Sequence, residues 1–340
     1  MRSTCLLCDA ELTPGDMPGQ QLHPEVEDCL VRVTDAWGVS IDDHEPAVQP
    51  EPVEAISLQI YPLVEDRLLE IFARVELPRL GGASSGRGWS SFSTFQRCPH
   101  AWYKRYVEQF RPTLLVESPS LTVGTLVHTY LAVHYARMMD PAYPLTPDDV
   151  ADQLIGCNPQ FLELAWRVFS GYRLYYSYEV ITPLAVEYDL RDPRTGESTR
   201  YDLVAYFPEG INGRLPGTYI VEHKTASRFD ADALEGWAND GEILGEVALW
   251  KHLGLDRRFG PLQGVLVNLL GKQKDPQYHR TLVAPTSWKI QQHLRDLTRW
   301  EGLIQLARST RSFPRARQGC IGRYGRCDYW DHCLTEEDAP

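Results

Sequence analysis

Tyr201-Asp202-Leu203-Val204 and Ile220-Val221-Glu222-His223-Lys224-Thr225 are the two stretches that decide how this chain is read. Both have the composition of strands, and side chains on a strand alternate faces. Asp202, Val204 and Tyr206 therefore share one face of the first, and Ile220, Glu222 and Lys224 one face of the second. Two carboxylates and an ammonium then meet on one edge of a sheet. Mg²⁺ prefers six oxygens at roughly 2.1 Å and keeps several waters. Asp202, Glu222, the backbone carbonyl of Val221 and water would complete that shell for Mg²⁺ or Mn²⁺. Such an ion polarises a phosphoryl oxygen and lowers the pKa of an attacking water. Lys224 is the group to hold that water or to neutralise charge as it develops. Alone, Glu-x-Lys also describes an ordinary exposed ion pair, so other residues must decide.

Two of them lie upstream. His128 ends Gly124-Thr-Leu-Val-His128 on a stretch with helical character, and neutral imidazole is a good ligand for Mn²⁺-like ions. Glu187, in Ala185-Val186-Glu187-Tyr188, is an acid on the strand before Asp202. It is expected to support the site from behind the ligands, holding Lys224 or a second ion.

Around these motifs the spacing predicts helices over 91–106 and 122–139, then strands over 184–190 and 199–207 joined by an Asp192-Pro-Arg-Thr-Gly196 turn. A strand over 217–225, a helix over 231–254, strands over 264–270 and 280–283, and a long helix over 286–309 follow. The expected fold class is α/β (α+β), a mixed central sheet flanked by helices. Residues 1–35 read as a small Cys/His module. Residues 36–88 read as a linker, acidic and proline-rich over 40–56, with a helix-like stretch over 57–78 carrying Leu63, Leu68, Ile71 and Phe72. The main domain is 89–340.

No apolar run is long enough to cross a bilayer, and the N-terminus lacks an apolar signal core, so a cytoplasmic protein is expected. The formal charge of −12 among 340 residues is not that of a general nucleic-acid binder. Any nucleic-acid track must be local; Lys104, Arg105, Arg111, Arg308, Arg311, Arg315, Arg317 and Arg323 are the candidates. Of the eight cysteines, three fall within the first 29 residues and three within the last 21, with Cys98 and Cys157 apart; in a cytoplasmic chain such clustering reads as metal ligation. Cys5-Leu-Leu-Cys8, His23 and Cys29 would suit tetrahedral Zn²⁺. Cys98 with Cys320, Cys327 and Cys333 makes a four-thiolate set suited to a 4Fe–4S cluster or to Zn²⁺. Cys157 reads as a core thiol.

From Gly124 and His128 through Asp202 to Glu222 and Lys224, the chain resembles the RecB-like branch of the PD-(D/E)XK nucleases over residues 90–335. The resemblance implies a restriction-endonuclease-like core, a Mg²⁺- or Mn²⁺-dependent exonuclease, and single-stranded DNA or DNA ends as substrate in recombination or repair, in a phage or mobile element. Where that family carries Gln-x-x-x-Tyr, this chain has Glu246 and Trp250, both expected beside the site. The one-plus-three cysteines are similar to the iron–sulfur staple of AddB-type and CRISPR-associated relatives, which favours 4Fe–4S there. No Gly-x-x-x-x-Gly-Lys loop is present, so a helicase or recombination partner would be a separate protein. A catalytically inactive DNA-end-binding subunit is the main alternative, and a site-specific endonuclease a weaker one.

Overall fold

A computed structural model of the chain describes residues 67–68, 70–71, 87–110, 119–211, 213–227, 236–322 and 325–335. Cys5, Cys8, His23 and Cys29, with the zinc site read on them, lie outside the described residues, as do the acidic linker, Arg111 and Arg323. Helices α1 (Trp89–Arg97), α2 (Pro99–Tyr106), α3 (Pro119–Met139), α4 (Pro147–Gln153) and α5 (Pro159–Tyr175) precede the sheet. Strands β1 (Thr182–Arg191), β2 (Ser198–Phe207) and β3 (Gly217–Ala226) follow, then α6 (Gly241–Leu253), α7 (Asp256–Phe259), β4 (Leu262–Gly271), β5 (Tyr278–Val283) and α8 (Ser287–Thr310). A two-stranded ribbon, β6 (Ile321–Gly322) and β7 (Gly325–Arg326), and α9 (Trp330–Thr335) close the described chain.

The five long strands form one sheet in sequence order. β1, β2 and β3 pair antiparallel, β3 and β4 parallel, and β4 and β5 antiparallel. The parallel pair needs a crossover, and α6 lies in that connection. Both faces are covered, which explains the long apolar runs of β2, β3 and β4. Leu203, Ala205, Val221 and Leu266 pack with Val127 and Leu131 of α3 and Phe169 of α5. Their neighbours Val204, Ile220, Val265 and Val267 pack the other way, with Ile243 and Val247 of α6 and Ile290 of α8. Burying each such side chain contributes about 1.5–3 kcal/mol before the entropy of ordering it is subtracted. Leu68 and Ile71, from the stretch read as linker and helix, are helical and join the first of these clusters.

The mixed sheet with flanking helices is the expected fold, with local departures. The helix expected over 91–106 breaks at Cys98, which is extended (φ −162°, ψ 107°). A residue before proline is pushed out of the helical region, and Pro99 is itself well suited to open α2. The helix expected over 231–254 is α6, whose N-cap Asp240 accepts from the Glu242 backbone N–H. Its end at Gly254 is as read, the glycine taking a left-handed φ of 65°. Helices α4 and α5 were not expected. Their cues are a capping box between Thr146 and Asp149 and an Asn158 cap, each followed by proline.

Candidate active site

The site is built at a fork. The β2–β3 ladder runs from Phe207↔Gly217 to Leu203↔Val221. Past that pair the strands continue, and the backbone N–H of His223 finds Asp202 in place of a strand: its Oδ2 accepts at 2.8 Å. β1 keeps its pairing with β2 on either side of Glu187, through Val186↔Leu203 and Tyr188↔Tyr201. Glu187 thus sits opposite Asp202, with a φ of 45°. A left-handed glutamate inside a strand costs on the order of 1–2 kcal/mol.

Helix α3 supplies the imidazole. A Cβ on Gly124 would come within 3.1 Å of Thr225 Oγ1. The bare glycine therefore lets α3 lie close against the end of β3, one turn before His128. His128 Nδ1 is 3.5 Å from Asp202 Oδ1. Among the described residues, His128, Glu187 and Asp202 are the set whose ligand atoms all lie within 4.8 Å of one another. Glu187, read as support behind the ligands, thus has a carboxylate oxygen within reach of the same point as His128 and Asp202.

Glu222 and Lys224 meet the same centre from β3. Lys224 Nζ lies 2.6 Å from Glu222 Oε1 and donates to Glu242 Oε2, also at 2.6 Å. The second oxygens of Glu222 and of Glu246 are buried without a hydrogen-bond partner. A buried charge without a partner is costly, and carboxylate oxygens left over beside an imidazole are the donor set of a hard divalent cation. The residues present fit such an ion.

Electrostatics reflect crowded acids. Burial and the neighbouring Asp202 push the Glu222 carboxyl up to about 8, against the pull of Lys224. Burial raises Glu187 well above the usual range, again with Asp202 beside it, and raises Glu246, with Glu222 as its nearest acidic influence. Burial acts on Asp202 in the same sense, but His128, then His223 and Lys224, outweigh it and hold that carboxyl low. Burial disfavours the His128 cation, yet Asp202 raises it. Burial likewise disfavours the Lys224 ammonium, and Glu222 and Glu242 hold it charged.

Two partners of this site carry no motif. Glu242, in the first turn of α6, is the second acid on Lys224. Behind β3 lies a buried polar chain. Asn268 Nδ2 donates to His223 Nδ1 (3.0 Å), Arg280 Nε donates to Asn268 Oδ1 (3.2 Å), and Arg280 Nη2 donates to Tyr172 Oη (2.8 Å). Tyr172 bonds Tyr135 at 2.7 Å, and the Tyr135 ring stacks on His223. Burial draws His223 down to about 3, so it packs neutral and anchors the strand between Glu222 and Lys224.

Trp250 is not brought to the site. It is fully buried, its Nε1 donating to Asp256 Oδ1 at 2.7 Å and its ring lying against Tyr201 and Phe259. Lys104 drops out of the basic track because it is buried and paired with Glu108 at 2.9 Å. Cys98 is buried with Ala101 and Tyr329, and Cys327 and Cys333 pack against that group. None of the five described cysteines forms a disulfide. Cys157 lies in the first core cluster, as read. No helix among the described residues is long and apolar enough to cross a membrane.

The pattern of the PD-(D/E)XK nuclease superfamily matches residues 89–334, a span that contains the whole fork. The chain belongs to that superfamily and is a nuclease by family. No curated protein matches it. Among solved structures, one from Eubacterium rectale, named provisionally as an exonuclease, is similar over 74% of this chain and 88% of its own, at 14% identity and a TM-score of 0.41.

Proposed function

We propose that the chain is a divalent-metal-dependent deoxyribonuclease of the RecB-like branch, acting as an exonuclease on single-stranded DNA or DNA ends. The observation that carries this is the convergence of His128, Glu187 and Asp202 at the strand fork, with Glu222 and Lys224 alongside. Mg²⁺ or Mn²⁺ held there, with the Val221 carbonyl as a further ligand, would supply Lewis-acid charge and an acidified water. The chain's own groups do the rest. Asp202, kept ionised by His128, fixes the negative pole of the site. Lys224, kept charged by two carboxylates, neutralises the phosphate as the bond breaks. The buried His223–Asn268–Arg280 chain holds both β3 side chains at their stations.

The packing of Cys98 with Cys327 and Cys333 supports a structural 4Fe–4S staple formed with Cys320, tying α1 and α2 to the C-terminal segment. Zinc at Cys5, Cys8, His23 and Cys29, a division into 1–35, 36–88 and 89–340, a phage or mobile-element setting and a separate helicase partner complete the reading.

Cleavage of end-labelled single-stranded DNA with Mn²⁺ tests it. Wild type should degrade the strand, EDTA should abolish this, and Asp202→Asn should lower the rate at least about a hundredfold. A metal-independent rate, or an unaffected variant, would refute the proposal. One observation favours a second reading, a DNA-end-binding subunit without catalysis: Glu246 and Trp250 stand where relatives carry Gln and Tyr, and Trp250 faces the core. DNA binding without any cleavage in Mn²⁺ would select it.

A further inference from the structure

Beside the fork lies a cavity of about 630 Å³, between the starts of α1 and α6 and one side of α8. That volume is within the roughly 300–1,000 Å³ of small-ligand sites, but its lining is unusual. Trp89, Trp288 and Trp300 line it, with Lys289 and Arg299. Trp288 is 67% exposed, so most of its indole is open to a ligand entering the cavity. A Cβ on Gly241 would fall 2.2 Å from the Trp89 ring, so the bare glycine is what allows that indole to lie across the first turn of α6. Lys289 Nζ is drawn to the same turn, donating to Ala238 O at 3.3 Å and Asn239 Oδ1 at 2.8 Å. The Arg299 guanidinium stays largely exposed although Asp296 Oδ1 accepts from it at 3.2 Å.

The cavity and the active site meet at the first turn of α6 through adjacent residues. Gly241 lines the cavity, and the next residue, Glu242, holds Lys224. A chain whose phosphodiester rests at the fork would pass over the first turn of α6 and enter among the indoles. Aromatic rings spaced along a path with cationic groups are the means by which unpaired bases are held, since every base offers a π-face and a duplex hides its own. We propose that this tryptophan-lined cavity receives the unpaired bases of single-stranded DNA next to the nucleotide being cut. The proposal rests on the nuclease reading and names the substrate path of that site.

Fluorescence anisotropy of a labelled oligothymidylate, titrated with the full chain in EDTA, tests it without cleavage. Trp288→Ala, at an exposed position and with unchanged circular dichroism, should bind about tenfold more weakly, the loss of one base stack. Trp288→Phe should recover most of the affinity. Binding of a blunt duplex of the same length should not change, nor should Mn²⁺-dependent hydrolysis of bis(p-nitrophenyl) phosphate, which carries no neighbouring nucleotide to stack. Wild-type affinity for oligothymidylate in Trp288→Ala would overturn the proposal, as would equal weakening of single strand and duplex, or no binding by wild type. Failure of the nuclease reading shows separately, as absent hydrolysis of the small diester by wild type.

Discussion

Glu187 shows what a single residue contributes that a motif does not display. Its identity as an acid on a strand is plain in the sequence, but its left-handed backbone and its place opposite Asp202 depend on how β1 meets β2. Glycine takes that backbone freely, so Glu187→Gly should unfold at the same or higher temperature without metal, by up to about 1 kcal/mol, while binding Mn²⁺ more weakly by calorimetry. A stability loss with unchanged Mn²⁺ affinity would make Glu187 structural. Glu222 gives a pH test. Its carboxyl is raised from 4.5 to about 8 in the folded chain. The folded state therefore keeps a proton that the unfolded state has lost, so this group's contribution is whole below about pH 4.5 and is lost as pH rises through about 8. In EDTA, Glu222→Gln should gain stability over wild type across that window, by at most about 1.4 kcal/mol per pH unit. Denaturant melts at pH 5 and pH 8 measure it; a constant difference would mean that Glu222 is not so perturbed.

Among the elements, strands β1 to β3 and helix α8 were legible because their apolar periods are long and their ends are marked by turns or caps. The fork was not. Alternation says which side chains share a face, but not where a ladder stops, and it is the stop at Leu203↔Val221 that frees the His223 N–H for Asp202. Glu242 escaped notice for a related reason: it meets Lys224 only because Asp240 starts α6 beside β3. Trp250 reads as a neighbour of the site because it falls at the tyrosine position of Gln-x-x-x-Tyr, and its burial against Tyr201 and Phe259 shows why position in a motif does not fix orientation. Trp250→Phe should cost about 2–4 kcal/mol from lost volume and the lost hydrogen bond to Asp256, which keeps the Leu262 N–H, with Mn²⁺ affinity unchanged in a binding titration. Weakened Mn²⁺ binding in a folded variant would return Trp250 to the site.

On the scale of the molecule, a net charge of −12 is compatible with a nuclease, because a divalent cation bound among Glu187, Asp202 and Glu222 would reverse the sign that a phosphate meets there. The cysteine set operates on the same scale. Cys98 stands at the α1–α2 break, and Cys327 and Cys333 come to it from the far end of the chain. Anaerobically purified protein should show iron–sulfur absorbance, and Cys327→Ser should lose both that absorbance and several degrees of melting temperature. A colourless wild type containing zinc would replace the cluster by a zinc staple. The central claim, that the fork is a metal site whose lysine serves the cleaved phosphate, is tested most directly by Lys224→Ala, with Mn²⁺ binding and cleavage of single-stranded DNA measured on the same preparation. Mn²⁺ should still bind, and cleavage should fall at least about a hundredfold. Undiminished cleavage by the variant would contradict the account.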